Sequence, residues 1–153
     1  MHVTLRFLGN LDPEQLRSLQ EKLTNVEFDP FELTVGPLGY FPGRGAQLIR
    51  VLWAKASGAE LLQGEVDRNL GDEFPPEERH KIQMQTGQYS HHITLCRVKR
   101  LEEDSSTCFQ ALDDSPLNGT PASILVNSFV LMESTLSRHG ATYTPLVRFL
   151  CKK

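Results

Sequence analysis

Polar and apolar residues alternate from residue 2 to residue 9, with Val3, Leu5 and Phe7 on one side and His2, Thr4 and Arg6 on the other. A period of two is that of a β-strand with one buried face, so this stretch reads as a strand that sets three polar side chains in a row. The period then lengthens. Leu16, Leu19, Leu23 and Val26 recur at helical spacing behind Asp12-Pro13, an N-cap residue and a first-turn proline, and predict a helix over 13–25. Phe31, Leu33 and Val35 alternate as a strand again, and the proline and glycine residues of "GPLGYFPGRG" read as a turn-rich loop after it. Residues 48–56, "LIRVLWAKA", form a mostly apolar run that predicts a strand covered on both faces.

Beyond Gly58, residues Leu61, Leu62, Val66 and Leu70 share one helical face over 59–70, with Gly64 in the interior. Residues 71–90 lack apolar periodicity, contain Pro75-Pro76 and read as a long loop. "HHITLCRVKR" at 91–100 is strand-like, and ideal alternation puts His92, Thr94 and Cys96 on one face, with Ile93, Leu95 and Arg97 on the other. A short helix near 105–112 precedes two late strands, "SILVNSFVLMES" and "ATYTPLVRFL", joined through "TLSRHG" as a hairpin. The order β-α-β-β-α-β-α-β-β describes an α+β fold of antiparallel sheets, and the 153 residues have the length of one domain spanning 1–153.

Composition narrows the function classes. With 39% hydrophobic and 23% charged residues the chain is an ordinary globular sequence. A net charge of -3 excludes a broad basic coat for nucleic acid but leaves room for a local phosphate site. Cys96, Cys108 and Cys151 are odd in number and scattered, which fits neither a disulfide framework nor a cysteine zinc site and points to the cytoplasm. No apolar run is long enough to span a bilayer and no basic-then-apolar leader opens the chain, so neither a membrane nor secretion is expected.

One pattern occurs twice: His2, Thr4, Leu5 in "MHVTLRFLG" and His92, Thr94, Leu95 in "HHITLCRVKR". On a strand, His and Thr two residues apart project side by side, offering an imidazole that titrates near neutral pH and a hydroxyl that donates to an anionic oxygen. Two such pairs across a cleft supply the groups for in-line displacement at phosphorus: one histidine takes a proton from the nucleophile and the other gives one to the leaving oxygen. Neither metal nor cofactor is required by that chemistry. A zinc hydrolase built on the same histidines would need a third protein ligand, and no HExxH or similar spacing supplies it. His91 must point to the opposite face from His92, while His80 and His139 fall in a charged loop and a turn.

The chain resembles the two-histidine (2H) phosphoesterase superfamily, and within it the bacterial and archaeal RNA 2′,3′-cyclic phosphodiesterases, once called 2′-5′ RNA ligases. The resemblance runs through "HVTLRFLG", "GYFP" at 39–42, "VLWAKA" at 51–56, "HHITLCRVKR" and "LMESTLSRHGATYTPL" at 131–146. It implies a LigT-like fold, two pseudo-symmetric lobes of antiparallel sheet with helices outside, flanking a central cleft. It also implies hydrolysis of an RNA or nucleotide 2′,3′-cyclic phosphate to a 2′-phosphate, with His92 as the base that activates water and His2 as the acid. Thr4 and Thr94 would hold the phosphate oxygens, and reversal would join RNA ends through a 2′-5′ bond. The implied partners are RNA ends or small nucleotides, with no DNA.

Two positions carry open alternatives. Arg97 adds charge to the phosphate site if a bulge or the strand end turns it toward His92, and is structural otherwise. Phe41, where relatives hold an aromatic near the base, either stacks on a nucleobase or packs the loop with Tyr40. Arg6 shares the His2 face and either touches phosphate or forms a surface salt bridge. Family members usually begin with a strand and a helix ahead of the first motif, which here starts at Met1-His2. On that reading the first lobe is incomplete and leaves an edge open to self-association. The α-amino group beside His2 would bind phosphate or depress the histidine pKa, and a nucleotide- or RNA-end-binding module with little turnover is the alternative function.

Overall fold

In the computed structural model, residues 1–41, 49–75, 91–98, 110, 112–115, 118–138 and 140–152 are described. Helix α1, Pro13–Thr24, starts where the sequence predicts. The Asp12 carboxylate accepts hydrogen bonds from the Glu14 and Gln15 amides, both at 2.9 Å, and the Gln15 side chain accepts one from the Asp12 amide. This capping box satisfies donors that the first helical turn leaves open. Helix α2, Glu60–Leu70, runs into a short 3-10 turn, Gly71–Glu73, and buries Leu62, Val66 and Leu70.

Apart from helical positions at 110, 112–113 and 118, the remaining elements among the described residues are strands. β1 (Phe31–Phe41), β2 (Val51–Ser57), β3 (His92–Arg97) and β4 (Ala122–Val126) form an antiparallel sheet in the order β3-β2-β1-β4. β5 (Ser128–Ser137) and β6 (Gly140–Leu150) pair as a separate hairpin. The expected α+β architecture of antiparallel sheets is therefore observed, with the single late strand "SILVNSFVLMES" split at Asn127. Of the predicted helix near 105–112, Gln110 and Leu112 are described and both are helical; the rest of it and most of the 71–90 loop, with His80 and His139, lie outside the described residues.

Several expectations are corrected. Residues 2–9 are extended but form no continuous ladder among the described residues, where they pair through an antiparallel bridge between Val3 and Ile93. Alternation also fails at their far end: Phe7 is exposed, whereas the Arg6 guanidinium is buried and donates to the Asp67 carboxylate and the Phe74 carbonyl. Arg6 is a buried tie to α2 and the following turn, not a surface ion pair. Second, "GPLGYF" is no loop, because β1 continues through it to Phe41. The extra residue is absorbed by a bulge, where Val35 opposes Ala56, Leu38 opposes Ala54, and Gly36-Pro37 faces Lys55 alone. Gly36 has φ 130°, a backbone region that excludes side chains with a β-carbon. β2 is likewise not covered on both faces, since Lys55 is exposed.

Two cores result. The larger joins Leu19 and Leu23 of α1, Leu62, Val66 and Leu70 of α2, Phe28, Phe74, and Phe129 and Leu131 of β5. The smaller lies under the sheet, with Leu33, Ala56, Ala59 and Ile93. Leu5 packs against both, and its neighbours divide, Val3 toward the sheet and Leu8 and Leu11 toward the helices. These side chains are partly buried, so each contributes a fraction of the roughly 1.5–3 kcal/mol of a fully buried one, and together they hold the first segment along its length although it is not a paired strand. Among the described residues no helix is long and apolar enough to cross a membrane.

His91, just before β3, is buried against α2 with its Nδ1 4.0 Å from a Glu60 carboxylate oxygen. Burial lowers its pKa, opposed by the attraction of Glu60 and assisted by His92. The folded chain thus resists protonation that the unfolded chain accepts near an ordinary histidine pKa of about 6.5. Stability should be full above that pH, decline as pH falls through it, and level off below the lowered folded value. Thermal unfolding at pH 7.5 and pH 5.5 is expected to show a smaller loss at the acid pH for His91→Gln than for the parent.

Candidate active site

The bridge between Val3 and Ile93 fixes how the two repeated motifs meet. In antiparallel pairing the flanking residues exchange partners, so His2 comes opposite Thr94 and Thr4 opposite His92. Val3 and Ile93 turn to the core under the sheet, where both pack. The four polar residues therefore occupy the other face, related by an approximate twofold through the bridge, with cross-strand β-carbons roughly 4.5–5.5 Å apart. Leu5, the last residue of the first repeat, lies in the core, whereas Leu95 of the second is 38% exposed.

Leu95 is exposed because β3 bulges there. Thr94 pairs with Trp53 and Cys96 with Leu52, so one β3 residue has no counterpart on β2. A single inserted residue inverts the alternation beyond it. Cys96 leaves the His92 face and Arg97, opposite Val51, joins it. Ideal alternation had sent Arg97 to the other side, and the bulge resolves that conflict in favour of the site face.

Phe41 pairs with Val51 on β1 and belongs to the same face. Its ring lies 5.7 Å from that of His92, edge-on, and 5.2 Å from that of Trp53. Trp53 in turn stands 5.9 Å from His92, so the three rings form a triangle on the sheet. Phe41 remains 43% exposed. It packs on Trp53 and His92 and keeps an exposed surface. The Trp53 ring seats on Gly39, where a β-carbon would collide with the indole.

His2 is exposed at the other side, with its ring 5.0 Å from Tyr143 of β6 in an edge-on arrangement. Its pKa lies below the ordinary histidine value, through partial desolvation first, then the adjacent amino terminus, then His92. The effect of His92 means that the two imidazoles sense each other's charge. It also means that His2 favours its neutral form in the free protein, with the α-amino group acting in the direction of a depressed pKa.

All six residues singled out in the sequence, His2, Thr4, Phe41, His92, Thr94 and Arg97, thus belong to one face. Arg6 does not, being turned inward. Trp53 and Tyr143 escaped the sequence reading: Trp53 sat in a run taken as buried, and nothing local to Tyr143 signals its contact with His2. Among the described residues no group of three or more His, Cys, Asp or Glu side chains is arranged to hold a metal ion. The chemistry on offer is that of two imidazoles, two hydroxyls and a guanidinium around an anion.

The chain is similar to known proteins in both sequence and fold. Residues 1–53 match the family described as LigT like Phosphoesterase. An RNA 2′,3′-cyclic phosphodiesterase of Thermus thermophilus is 30% identical over 161 residues, which cover 97% of this chain and 71% of the relative. One from Archaeoglobus fulgidus is 27% identical over 147 residues, covering 95% and 77%. A crystal structure of a protein from Thermus thermophilus superposes with a TM-score of 0.62 at 30% identity, covering 97% of this chain and 76% of that one. E. coli LigT in its apo form gives a TM-score of 0.66 at 24% identity, over 99% and 76%, and shares the fold. Fold and sequence together define an enzyme, a phosphoesterase. The chain belongs to the LigT-like phosphoesterase family of the two-histidine superfamily.

The ring triangle generates a prediction. In Gly39→Ala the added methyl must displace Trp53, and overpacking of this kind costs about 1–3 kcal/mol. Chemical denaturation should show that loss, while Gly64→Ala, at an open helical position, should be neutral or stabilising. A second concerns His2: histidine NMR titration should place its midpoint below about 6.5 in the free protein and raise it on addition of a nucleoside 2′-phosphate, whose dianion offsets the charges that depress it.

Proposed function

We propose that the protein hydrolyses the 2′,3′-cyclic phosphate at the end of an RNA or of a nucleotide to a 2′-phosphate, using its own side chains as acid and base and no metal ion. The observation that carries this reading is the exchanged register across Val3 and Ile93, which sets each imidazole beside the hydroxyl of the other motif. The names of the relatives from Thermus thermophilus and Archaeoglobus fulgidus support the substrate class. E. coli LigT, known in complexes with 3′-AMP and NADP+, supports a nucleotide-sized ligand.

A ring nitrogen of neutral His92 takes a proton from water as the water oxygen bonds to phosphorus. The bond from phosphorus to the 3′ oxygen breaks, and that oxygen takes the proton of the His2 imidazolium. Thr4 and Thr94 hydroxyls donate to the non-bridging oxygens, and Arg97 offsets their charge, which grows in the transition state. His2 needs a proton for this role although the free protein disfavours one. The bound phosphate restores it, so substrate binding and protonation of the acid are coupled. Phe41 offers a stacking surface to the base, a contact that tolerates any sequence. Joining a cyclic phosphate to a 5′-hydroxyl through a 2′-5′ bond uses the same groups, with the hydroxyl taking the place of water and the 3′ oxygen again leaving.

The test is turnover of a nucleoside 2′,3′-cyclic phosphate in EDTA. The parent should yield the 2′-phosphate, and His2→Ala and His92→Ala should each lower kcat by about 10²–10⁴-fold, the contribution of a positioned acid or base. A parent that binds the nucleotide without turnover would instead be a binding module, and activity lost to the chelator would overturn the metal-free scheme.

A further inference from the structure

Four of the described basic side chains are neutralised by an acidic neighbour. Arg6 meets Asp67, Lys22 lies 2.9 Å from Glu73, Arg68 2.6 Å from Glu65 and Lys152 2.7 Å from Glu27. Among the described residues Arg17, Arg50, Arg138 and Arg148 have no such partner, and neither do Lys55 and Arg97. Lys55 and Arg97 are both exposed.

Both also lie on the site face. Lys55 pairs directly with His92, and Arg97 pairs with Val51 at the opposite end of β2. Four strand positions separate Lys55 from Val51, about 13 Å at the rise of a β-strand, with His92, Thr94 and the Trp53 and Phe41 rings between them. The acidic residue on this face, Glu32, falls beyond Ser57 and away from that interval. Two cations this far apart exceed what one cyclic phosphate can neutralise. A lysine on its flexible stem suits an exposed phosphodiester, for which it acts as a mobile point charge.

We propose that Lys55 forms a subsite for the phosphodiester one nucleotide before the reacting phosphate, so that the enzyme prefers an RNA terminus to a mononucleotide. This deepens the hydrolase reading above and rests on it for the position of the reacting group.

The experiment compares kcat/KM for a dinucleotide ending in a 2′,3′-cyclic phosphate with that for the nucleoside 2′,3′-cyclic phosphate at low salt. A dinucleotide with an uncharged methylphosphonate linkage serves as control. The charged dinucleotide should be favoured about two- to fivefold, the scale of one exposed charge contact. Lys55→Gln and the uncharged linkage should each reduce that ratio to near one, Lys55→Arg should keep it, and added salt should erode it. Equal rates for the two substrates in the parent, or an unchanged ratio in Lys55→Gln, would overturn the subsite. Absence of turnover on both substrates would fail the hydrolase reading instead. The same ratio would then be read from affinities of the corresponding 2′-phosphates, using quenching of Trp53, the only tryptophan in the chain, with the same criteria.

Discussion

The backbone pairing of Val3 with Ile93 is the constraint on which the site depends. A single bridge is weak by itself, for its net contribution is on the order of 1 kcal/mol per hydrogen bond. It is held in register by what lies beneath it: Val3 and Leu5 pack into the core of the sheet, and Leu5, Leu8 and Leu11 into that of the helices. The buried guanidinium of Arg6, anchored on Asp67 and the Phe74 carbonyl, pins the same segment from its other end. Slippage by one residue would carry the His2 motif to the opposite face. Apolar burial and an ion pair thus set the geometry of groups that touch neither.

Two irregularities complete the face. The bulge at Gly36-Pro37 advances β1 so that Phe41 reaches the position beside Trp53 and His92, and the bulge at Leu95 brings Arg97 round to join them. Bulges interrupt ladder hydrogen bonds, and here both interruptions redirect a side chain toward the repeated histidines. The sheet bears this locally, because β2 between the bulged strands keeps pairing on both sides.

Those irregularities also mark the limit of what could be read from residues alone. Helices α1 and α2 followed from the spacing of their leucines and from the Asp12-Pro13 cap, since such signals are local. The HxTL repeat identified the chemical groups because a strand period of two is equally local. The bulges are not: whether β3 has one residue more than its partner depends on the facing strand, and Leu95 itself gives no sign of it. Pro37 and Gly39 looked like loop residues because proline and glycine usually are. In the fold, one sits in a bulge and the other makes room for an indole ring. Arg6 continued the alternation on paper, but a carboxylate on α2 drew it inward, a long-range pairing that periodicity cannot anticipate.

The exchange of partners across the bridge has a mechanical side. One histidine and one threonine come from a segment joined to its neighbour by an isolated backbone bridge among the described residues, and the other two from a strand of the four-stranded sheet. An anion gripped by both pairs acts as a clasp between them, a removable cross-link at the point where backbone pairing is thinnest. Its binding free energy adds to the cohesion of the chain by mass action, so occupancy and order of the first segment rise together. The reactant is then, for the duration of its stay, a structural member of the fold.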